Sequence, residues 1–333
     1  MPACELEIDL PSELHAAADS WLGHVRQVAA DDDETQLLCD AVTEVVRPAL
    51  ERFGAARLRL FESFTDADLP MWEQILRGIS SSIGFLMPQT HQNEVLAHIQ
   101  DEGKDYKLPS TRGHQTNAAL AFHSDRCDLN LLLYARIADQ GGELSVVSYQ
   151  DAAARLKHRA PWALATLFDG FPFDLRTERI FPSLPWHMRP ILWKHAGEFR
   201  GHYIRRFITD SQRHEDCPRL SSRQTEALDL LDTVLDELRI DGTFAPRVGE
   251  LLLLNNYRVM HARAGYSDAS EPQGRRLALR TWVAPFDSEA LPLPLHPLTG
   301  SCAPGSYRGG VGSDVAYRRR LGQTHHQRTR RFA

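Results

Sequence analysis

Three residues of metal-binding types stand out in the chain: His123 and Asp125, separated by one serine, and the distant His261. A histidine and a carboxylate two positions apart lie on the same face of an extended strand, because strand side chains alternate. One further histidine completes a set of two imidazoles and one carboxylate. This set occupies one face of a metal ion, leaves the opposite positions open, and is typical of non-haem iron(II) oxygenases.

Apolar runs precede both parts of this candidate site. Residues 120–122 lead into His123, and residues 249–254 lead towards His261. An isolated His-x-Asp pair is common and is usually a surface histidine beside an aspartate, so the strand context is what favours a metal site. We interpret the remaining candidates as ordinary surface or packing histidines: His114, His187, His195 and His202.

Two arginines follow His261 in a strand-like segment. Arg276 and Arg280 are four positions apart, so both can face the same side of a strand, whereas Arg275 should point the opposite way. A guanidinium binds a carboxylate through two hydrogen bonds and stays charged, as an oxygenase with a dicarboxylate co-substrate requires. The alternative is an arginine in a surface salt bridge, which is the role we expect for Arg275.

The bulk composition is that of a globular protein. Of 333 residues, 42% are hydrophobic and 25% charged, and the net charge of −6 gives no electrostatic reason to bind nucleic acid. The five cysteines show no close pairing, which favours free thiols in a reducing compartment. The N-terminus lacks a basic signal region, and no segment approaches membrane-spanning length. We therefore expect a cytoplasmic protein that acts on a small molecule, without nucleic-acid or membrane partners, and its oligomeric state stays open.

The pattern of elements predicts a mainly β fold with flanking helices, an antiparallel jelly roll. Residues 12–83 are rich in helix formers, and residues 116–286 contain short apolar strands separated by turns. We predict one domain over residues 1–300, followed by a mobile basic tail at residues 301–333. Within the core we predict a helical insertion at 149–169, strands at 189–194 and 200–207, a helix at 222–239 and a last strand at 276–286.

In the segments that contain these residues, the chain resembles the taurine dioxygenase-like (TauD/TfdA) family, which is itself similar to clavaminate synthase. The likeness covers roughly residues 80–300, and the combination of segments is more specific than any one motif. The resemblance implies a double-stranded β-helix, a cupin-like jelly roll, in agreement with the strand pattern. The matching segments are residues 115–125, 141–143, 249–261 and 274–282.

The resemblance also implies roles for single residues. His123, Asp125 and His261 would be the iron ligands, and Arg276 would bind the distal carboxylate of 2-oxoglutarate. Arg280 would lie at the other end of the co-substrate or contact the substrate. Asn117 matches a family position near the substrate pocket.

One position departs from the family pattern. Many members have a threonine after Gly-Gly-(Asp/Glu) that helps to hold 2-oxoglutarate, and here that position is Leu144, followed by Ser145. Ser145 should alternate to the other face of its strand. Either a local bulge turns Ser145 inward as a co-substrate ligand, or Arg276 works without that hydroxyl.

The implied activity is that of an Fe(II)/2-oxoglutarate-dependent dioxygenase, which uses dioxygen to hydroxylate an unactivated C–H bond and releases succinate and carbon dioxide. Related halogenases have a small residue at the carboxylate position, so Asp125 favours hydroxylation over halogenation. Desaturation or cyclisation by the same chemistry stays open. A zinc-dependent hydrolase with the same three ligands and a non-catalytic sandwich are alternatives, but neither needs Arg276. We expect a small polar substrate, amino-acid-like, in a biosynthetic pathway.

Overall fold

Two β-sheets lie face to face in the computed structural model, which describes residues 7–8, 32–106, 111–176, 185–312 and 314–325. The strands are β1 (Glu7–Ile8), β2 (Ala55–Arg59), β3 (Gly84–Met87), β4 (Leu96–Ile99), β5 (Leu120–His123), β6 (Leu129–Arg136), β7 (Gln140–Gly141), β8 (Leu144–Ser148), β9 (Phe171–Asp174), β10 (Trp186–Arg189), β11 (Leu192–His195), β12 (Glu198–Gly201), β13 (Thr243–Phe244), β14 (Glu250–Asn255), β15 (Val259–Arg263), β16 (Tyr266–Ser267) and β17 (Leu277–Pro285).

The helices surround these sheets. They are α1 (Asp32–Phe53), α2 (Leu69–Ile83), α3 (Tyr149–Arg159), α4 (Pro161–Thr166), α5 (Arg205–Ser211), α6 (Ser222–Leu238), α7 (His296–Thr299) and α8 (Val315–Arg320). None of the helices in the described ranges is long and apolar enough to cross a membrane.

The larger sheet has the strand order β1-β2-β14-β6-β17-β3, and β4 also pairs with β17. The smaller sheet has the order β13-β8-β15-β5. Except for the β1–β2 pair, the strand pairs of both sheets are antiparallel. Antiparallel sheets stacked in this way form a double-stranded β-helix, so the predicted mainly β jelly roll is confirmed.

Strand β14 shows how the sequence produces these layers. Its four leucines are all fully buried, because both faces of the larger sheet are covered. Leu252 and Leu254 pack between the two sheets, whereas Leu251 and Leu253 pack with α1 and α2 on the outside. A slip of one residue would exchange the two faces, so the apolar run fixes the position of the chain that leads to His261.

The outer face of the smaller sheet is covered by α3, α4 and α6, which share one apolar cluster with Met260 and Ala262 of β15. The predicted helices at 149–169 and 222–239 are therefore confirmed. The predicted strand at 200–207 is wrong in its second half, because β12 ends at Gly201 and residues 205–211 form α5. Of the predicted N-terminal helices, residues 12–31 lie outside the described residues.

The segment at 301–312 and 314–325 packs on the domain, so the predicted tail boundary is wrong here. Arg308 is fully buried, and its Nε lies 3.2 and 3.1 Å from the two carboxylate oxygens of Asp128. Tyr317, in α8, is also buried and donates a hydrogen bond to the carbonyl oxygen of Gly309. Composition alone did not reveal this docking, because the partner of Arg308 lies far away in the sequence. Residues 326–333 lie outside the described residues.

Replacing Arg308 by alanine should strongly destabilise the fold, because the buried Asp128 carboxylate would lose its partner. Breaking a buried ion pair from one side costs about 3–5 kcal/mol. The measurement is the midpoint and free energy of guanidinium-induced unfolding. Arg319→Ala, at an exposed position of α8, is the matched control and should change stability by less than about 0.5 kcal/mol. Equal effects of the two substitutions would mean that the segment does not depend on this ion pair.

Candidate metal centre

The three predicted metal ligands meet at one end of the smaller sheet. His123 ends β5 and is directly opposite His261 of β15, with 4.4 Å between the ring centroids. Asp125 follows two residues after His123, and Nε2 of each histidine lies 4.0 Å from one of its carboxylate oxygens. One ligand atom from each residue lies within 4.8 Å of the others. The structure therefore brings the predicted set together.

Both imidazoles are set to act as ligands. Nδ1 of His123 lies 2.9 Å from the carbonyl oxygen of Ala121, and donating its proton there leaves the lone pair of Nε2 free to face the metal. Burial, and then the neighbouring His123, lowers the pKa of His261 to about 3. His261 is therefore neutral near pH 7, as a metal ligand must be.

Asp125 is held ionised and in a fixed orientation. Its Oδ2 accepts a hydrogen bond of 2.7 Å from Nδ2 of Asn130, and Nη1 of Arg280 lies 3.6 Å from the same oxygen. Burial works against the charged carboxylate, but Arg280 and then His261 and His123 outweigh it, so the pKa of Asp125 lies below its ordinary value. An ionised carboxylate beside two imidazoles fits a divalent cation, and in the described part of the chain this cluster brings such donors together.

The backbone at Asp125 has two further supports. Its amide donates to Oδ1 of Asn256 at 2.8 Å, and its carbonyl oxygen lies 3.2 Å from Nε2 of His202. Nη2 of Arg189 lies 2.9 Å from Nδ1 of His202, and since arginine only donates, Nε2 of His202 must carry the proton. His202, which we interpreted as an ordinary packing histidine, thus helps to position a metal ligand.

Arg276 and Arg280 both line the pocket in front of the metal centre, as their spacing predicted, and Arg275 is exposed. Nε of Arg280 donates to Oε1 of Gln89 at 2.6 Å. Arg276 is only 2% exposed, and no carboxylate in the described ranges forms an ion pair with it. A buried guanidinium of this kind can accept an anionic ligand without displacing a protein partner.

Two predicted site residues lie elsewhere. Ser145 faces away from the pocket, with its hydroxyl 2.7 Å from that of Thr243. The pairing of β8 with β15 is continuous, so no bulge turns Ser145 inward, and Leu144 lines the pocket in its place. The side chain of Asn117 is exposed and does not line the pocket. The structure therefore does not bring Ser145, predicted as a co-substrate ligand, or Asn117, predicted as a substrate residue, into the pocket.

The pocket has a strongly cationic lining around a cavity of about 200 Å³. Asp125 is the carboxylate among its described lining residues. Burial, and then the charges of Arg176, Arg126 and Arg280, lowers the pKa of Arg112 to about 10. The arginines of the lining are Arg112, Arg126, Arg176, Arg205, Arg206, Arg263, Arg276 and Arg280. Mutual repulsion among them makes the pocket a site for anions.

A double-stranded β-helix with two histidines and one carboxylate at its open end defines a non-haem iron oxygenase. Comparison with protein families agrees, since residues 20–282 match the model described as "Taurine catabolism dioxygenase TauD, TfdA family". The chain belongs to this family and is an Fe(II)/2-oxoglutarate-dependent dioxygenase. A zinc-dependent hydrolase is not favoured.

Two curated relatives are similar in sequence. FR-33289 synthase of Streptomyces rubellomurinus is 28% identical over 252 residues, covering 73% of this chain and 72% of the relative. The "Taurine hydroxylase-like protein SAT17" of Stachybotrys chartarum is 27% identical over 216 residues, covering 62% of this chain and 54% of the relative.

Solved structures share the fold. An asparagine oxygenase is 14% identical with a TM-score of 0.61, covering 84% of this chain and 93% of that chain. The non-haem iron oxygenase OrfP, in complex with Fe and alpha-ketoglutaric acid, is 16% identical with a TM-score of 0.59, covering 84% and 95%.

Replacing His261 by alanine should strongly weaken iron binding, because the two remaining ligands no longer enclose one face of the ion. The measurement is anaerobic titration with Fe(II) and 2-oxoglutarate, followed by the visible charge-transfer band and by metal analysis. We expect loss of the band and at least a ~100-fold weaker metal affinity, at the upper end of effects from ligand-shell changes. His158→Ala, on the exposed side of α3, should bind iron as the unmodified protein does. A full band in the His261 variant would show that the ligands lie elsewhere.

Proposed function

We propose that this protein hydroxylates an unactivated C–H bond of a small, polar, amino-acid-like metabolite that carries an acidic group. The reaction consumes 2-oxoglutarate and releases succinate and carbon dioxide. One observation carries the proposal: the cluster of His123, Asp125 and His261 opens into a pocket that also contains the buried, carboxylate-free Arg276.

The residues of the chain have distinct tasks in this reaction. When bound, iron(II) and 2-oxoglutarate supply the oxidation of the C–H bond by dioxygen. Arg276 binds the distal carboxylate of the co-substrate, and Arg280 lies at its metal end, 3.6 Å from Asp125. Asn130 holds Oδ2 of Asp125 by a hydrogen bond of 2.7 Å, which leaves Oδ1 to face the metal. The buried walls exclude water and keep the substrate within reach of the metal.

Asp125 bears on the outcome of the reaction. Its carboxylate would serve as the third protein ligand of the iron and would take the place that a halide needs, so we expect oxygen transfer rather than halogenation. Desaturation uses the same residues and differs only in what happens after the C–H bond is broken. The products distinguish the two, since hydroxylation adds an oxygen atom and desaturation removes two hydrogen atoms.

The cationic pocket supports an acidic substrate. Some of the charge is balanced from behind the lining: Asp210 contacts Arg176 and Arg206, and Asp229 and Asp232 contact Arg205. Among the described residues, no carboxylate pairs with Arg263 or Arg276, and Asp125 lies beside Arg280. An anionic group on the substrate, together with the co-substrate, would offset this charge.

Names of the relatives favour amino-acid-like molecules. OrfP is described in complex with hydroxylated L-arginine, and asparagine oxygenase with hydroxyasparagine. The curated relative from Stachybotrys is named after taurine, an amino acid in which a sulfonate takes the place of the carboxylate. Amino acids and aminosulfonates are therefore the first substrates to test.

Succinate release over a panel of small acids, each paired with its neutral amide, tests this proposal. Active acids should give a product with one added oxygen atom, and their amides should have kcat/KM lower by about 10-fold or more. Losing one charge-assisted hydrogen bond costs about 1.5–3 kcal/mol, which is a factor of this size. The His261→Ala variant is the control for metal dependence.

Other results would identify the alternatives. A product that has lost two hydrogen atoms would make the enzyme a desaturase. Cleavage of the substrate that depends on zinc and does not require 2-oxoglutarate would overturn the proposal. Equal activity on acids and amides would remove the acidic group from the substrate assignment.

A further inference from the structure

Two buried arginines lie side by side at the inner end of the pocket. Arg263, in β15, is 4% exposed, and Arg276, just before β17, is 2% exposed. Their guanidinium carbons lie 4.7 and 5.2 Å from the centre of the Tyr266 ring, and Arg276 also lies 5.5 Å from that of Tyr134. We call Arg263, Arg276 and Tyr266 the arginine cradle.

The positive charge of the cradle is not balanced by the protein. Within the described ranges, no carboxylate forms an ion pair with either arginine. Burial, and then the charge of Arg276, lowers the pKa of Arg263 to about 10. Two buried like charges without a counterion are expensive in free energy, and proteins retain them where an anion binds. The cradle therefore has the charge of an anion site.

Hydrogen-bonding groups of the cradle are also unused. Nε of Arg263, Nε of Arg276 and the hydroxyl of Tyr266 are buried and make no hydrogen bond to the described residues. Nη2 of Arg263 donates to the carbonyl oxygens of Thr116 and Ala118 at 2.8 and 2.6 Å, which fixes the guanidinium plane. Fixed donors that lack acceptors are preorganised for an oxygen-rich ligand.

The register of the smaller sheet places Arg263 at the co-substrate end of the pocket. Arg263 is directly opposite Leu144 of β8, so the two side chains lie on the same face, about 5 Å apart at Cβ. Leu144 offers no hydrogen bond, and the hydroxyl of Ser145 points to Thr243 on the other face. Arg263 can donate next to this gap, and it lines the pocket together with Arg276 and Tyr134.

We propose that Arg263 is a second binding residue for the distal carboxylate of 2-oxoglutarate, and that it acts with Arg276 in place of a hydroxyl from β8. Two guanidinium groups would then surround the two carboxylate oxygens. This inference rests on the proposed function, because it assigns the carboxylate to the co-substrate of that reaction. Arg263 positions the co-substrate and takes no part in bond making or breaking.

Binding of two 2-oxo acids tests the proposal without measuring turnover. 2-Oxoglutarate and 2-oxopentanoate share the metal-binding end, but only the former has a distal carboxylate. Anaerobic calorimetric titration of the Fe(II)-loaded protein gives a Kd for each. We expect Arg263→Gln to weaken 2-oxoglutarate by about 10–100-fold, the loss of one charge-assisted contact, and 2-oxopentanoate by less than about 3-fold.

Matched variants separate this role from a structural one. Arg275→Gln, next to Arg276 but exposed, should leave both Kd values unchanged. If Arg263→Gln does not fold, Arg263→Lys keeps the charge and should show the same selective loss at smaller size.

Each other result has a definite meaning. If the Arg263 variants lose affinity equally for both acids, the role of Arg263 is only to support the backbone at Thr116 and Ala118. Unchanged binding of both would assign the carboxylate to Arg276 alone. Either result overturns this inference and leaves the proposed function intact, whereas failure of the unmodified protein to bind 2-oxoglutarate would overturn the proposed function itself.

Discussion

The pairing of β15 with its two neighbours is the constraint on which the site depends. Its pairing with β5 sets His261 opposite His123, and its pairing with β8 sets Arg263 opposite Leu144. Because side chains alternate, His261 and Arg263 face the pocket while Met260 and Ala262 pack under the outer helices. The apolar side of this strand thus fixes the position of its functional side.

That strand position is itself fixed by the larger sheet. β14 delivers the chain to β15 through the turn at residues 256–258, and its alternating leucines hold it between β2 and β6. Gly249 lies just before β14 and has a φ of +76°, in the left-handed region, and a Cβ at this position would lie 1.8 Å from the carbonyl oxygen of Phe61. Only glycine fits there, so the approach to the metal centre depends on a residue far from the chemistry.

The sequence made the ligand set and the fold class predictable, because both depend on strong local patterns. His123 and Asp125 are two apart beside an apolar run, and the leucines of β14 mark a strand buried on both faces. Ser145 was harder to place, because only the continuous register with β15 excludes the bulge that would have turned it inward. Asn117 lies in a segment without regular structure, where alternation gives no direction.

Residues that act through tertiary partners could not be predicted. Asn130 and His202 support Asp125 from a neighbouring strand and from a connecting segment, and nothing in their local sequence distinguishes them from packing residues. Arg308 belongs to a stretch rich in glycine and arginine, yet its burial is determined by the distant Asp128. His202 and Arg308 act on residues far away in the chain, and Asn130, five positions after Asp125, acts across the turn that leads from β5 to β6; spacing and composition reveal none of these contacts.

The distribution of charge joins stability to function. Arg308 is buried with a carboxylate and contributes to the fold, whereas no carboxylate in the described ranges pairs with the buried Arg263 and Arg276. Carboxylate side chains beside Arg263 and Arg276 would relieve the repulsion between the two guanidinium groups and stabilise the protein. They would also occupy the cradle. A pocket that must admit a dianionic co-substrate therefore keeps its repulsion until the co-substrate binds, as expected of functional sites that give up stability for binding.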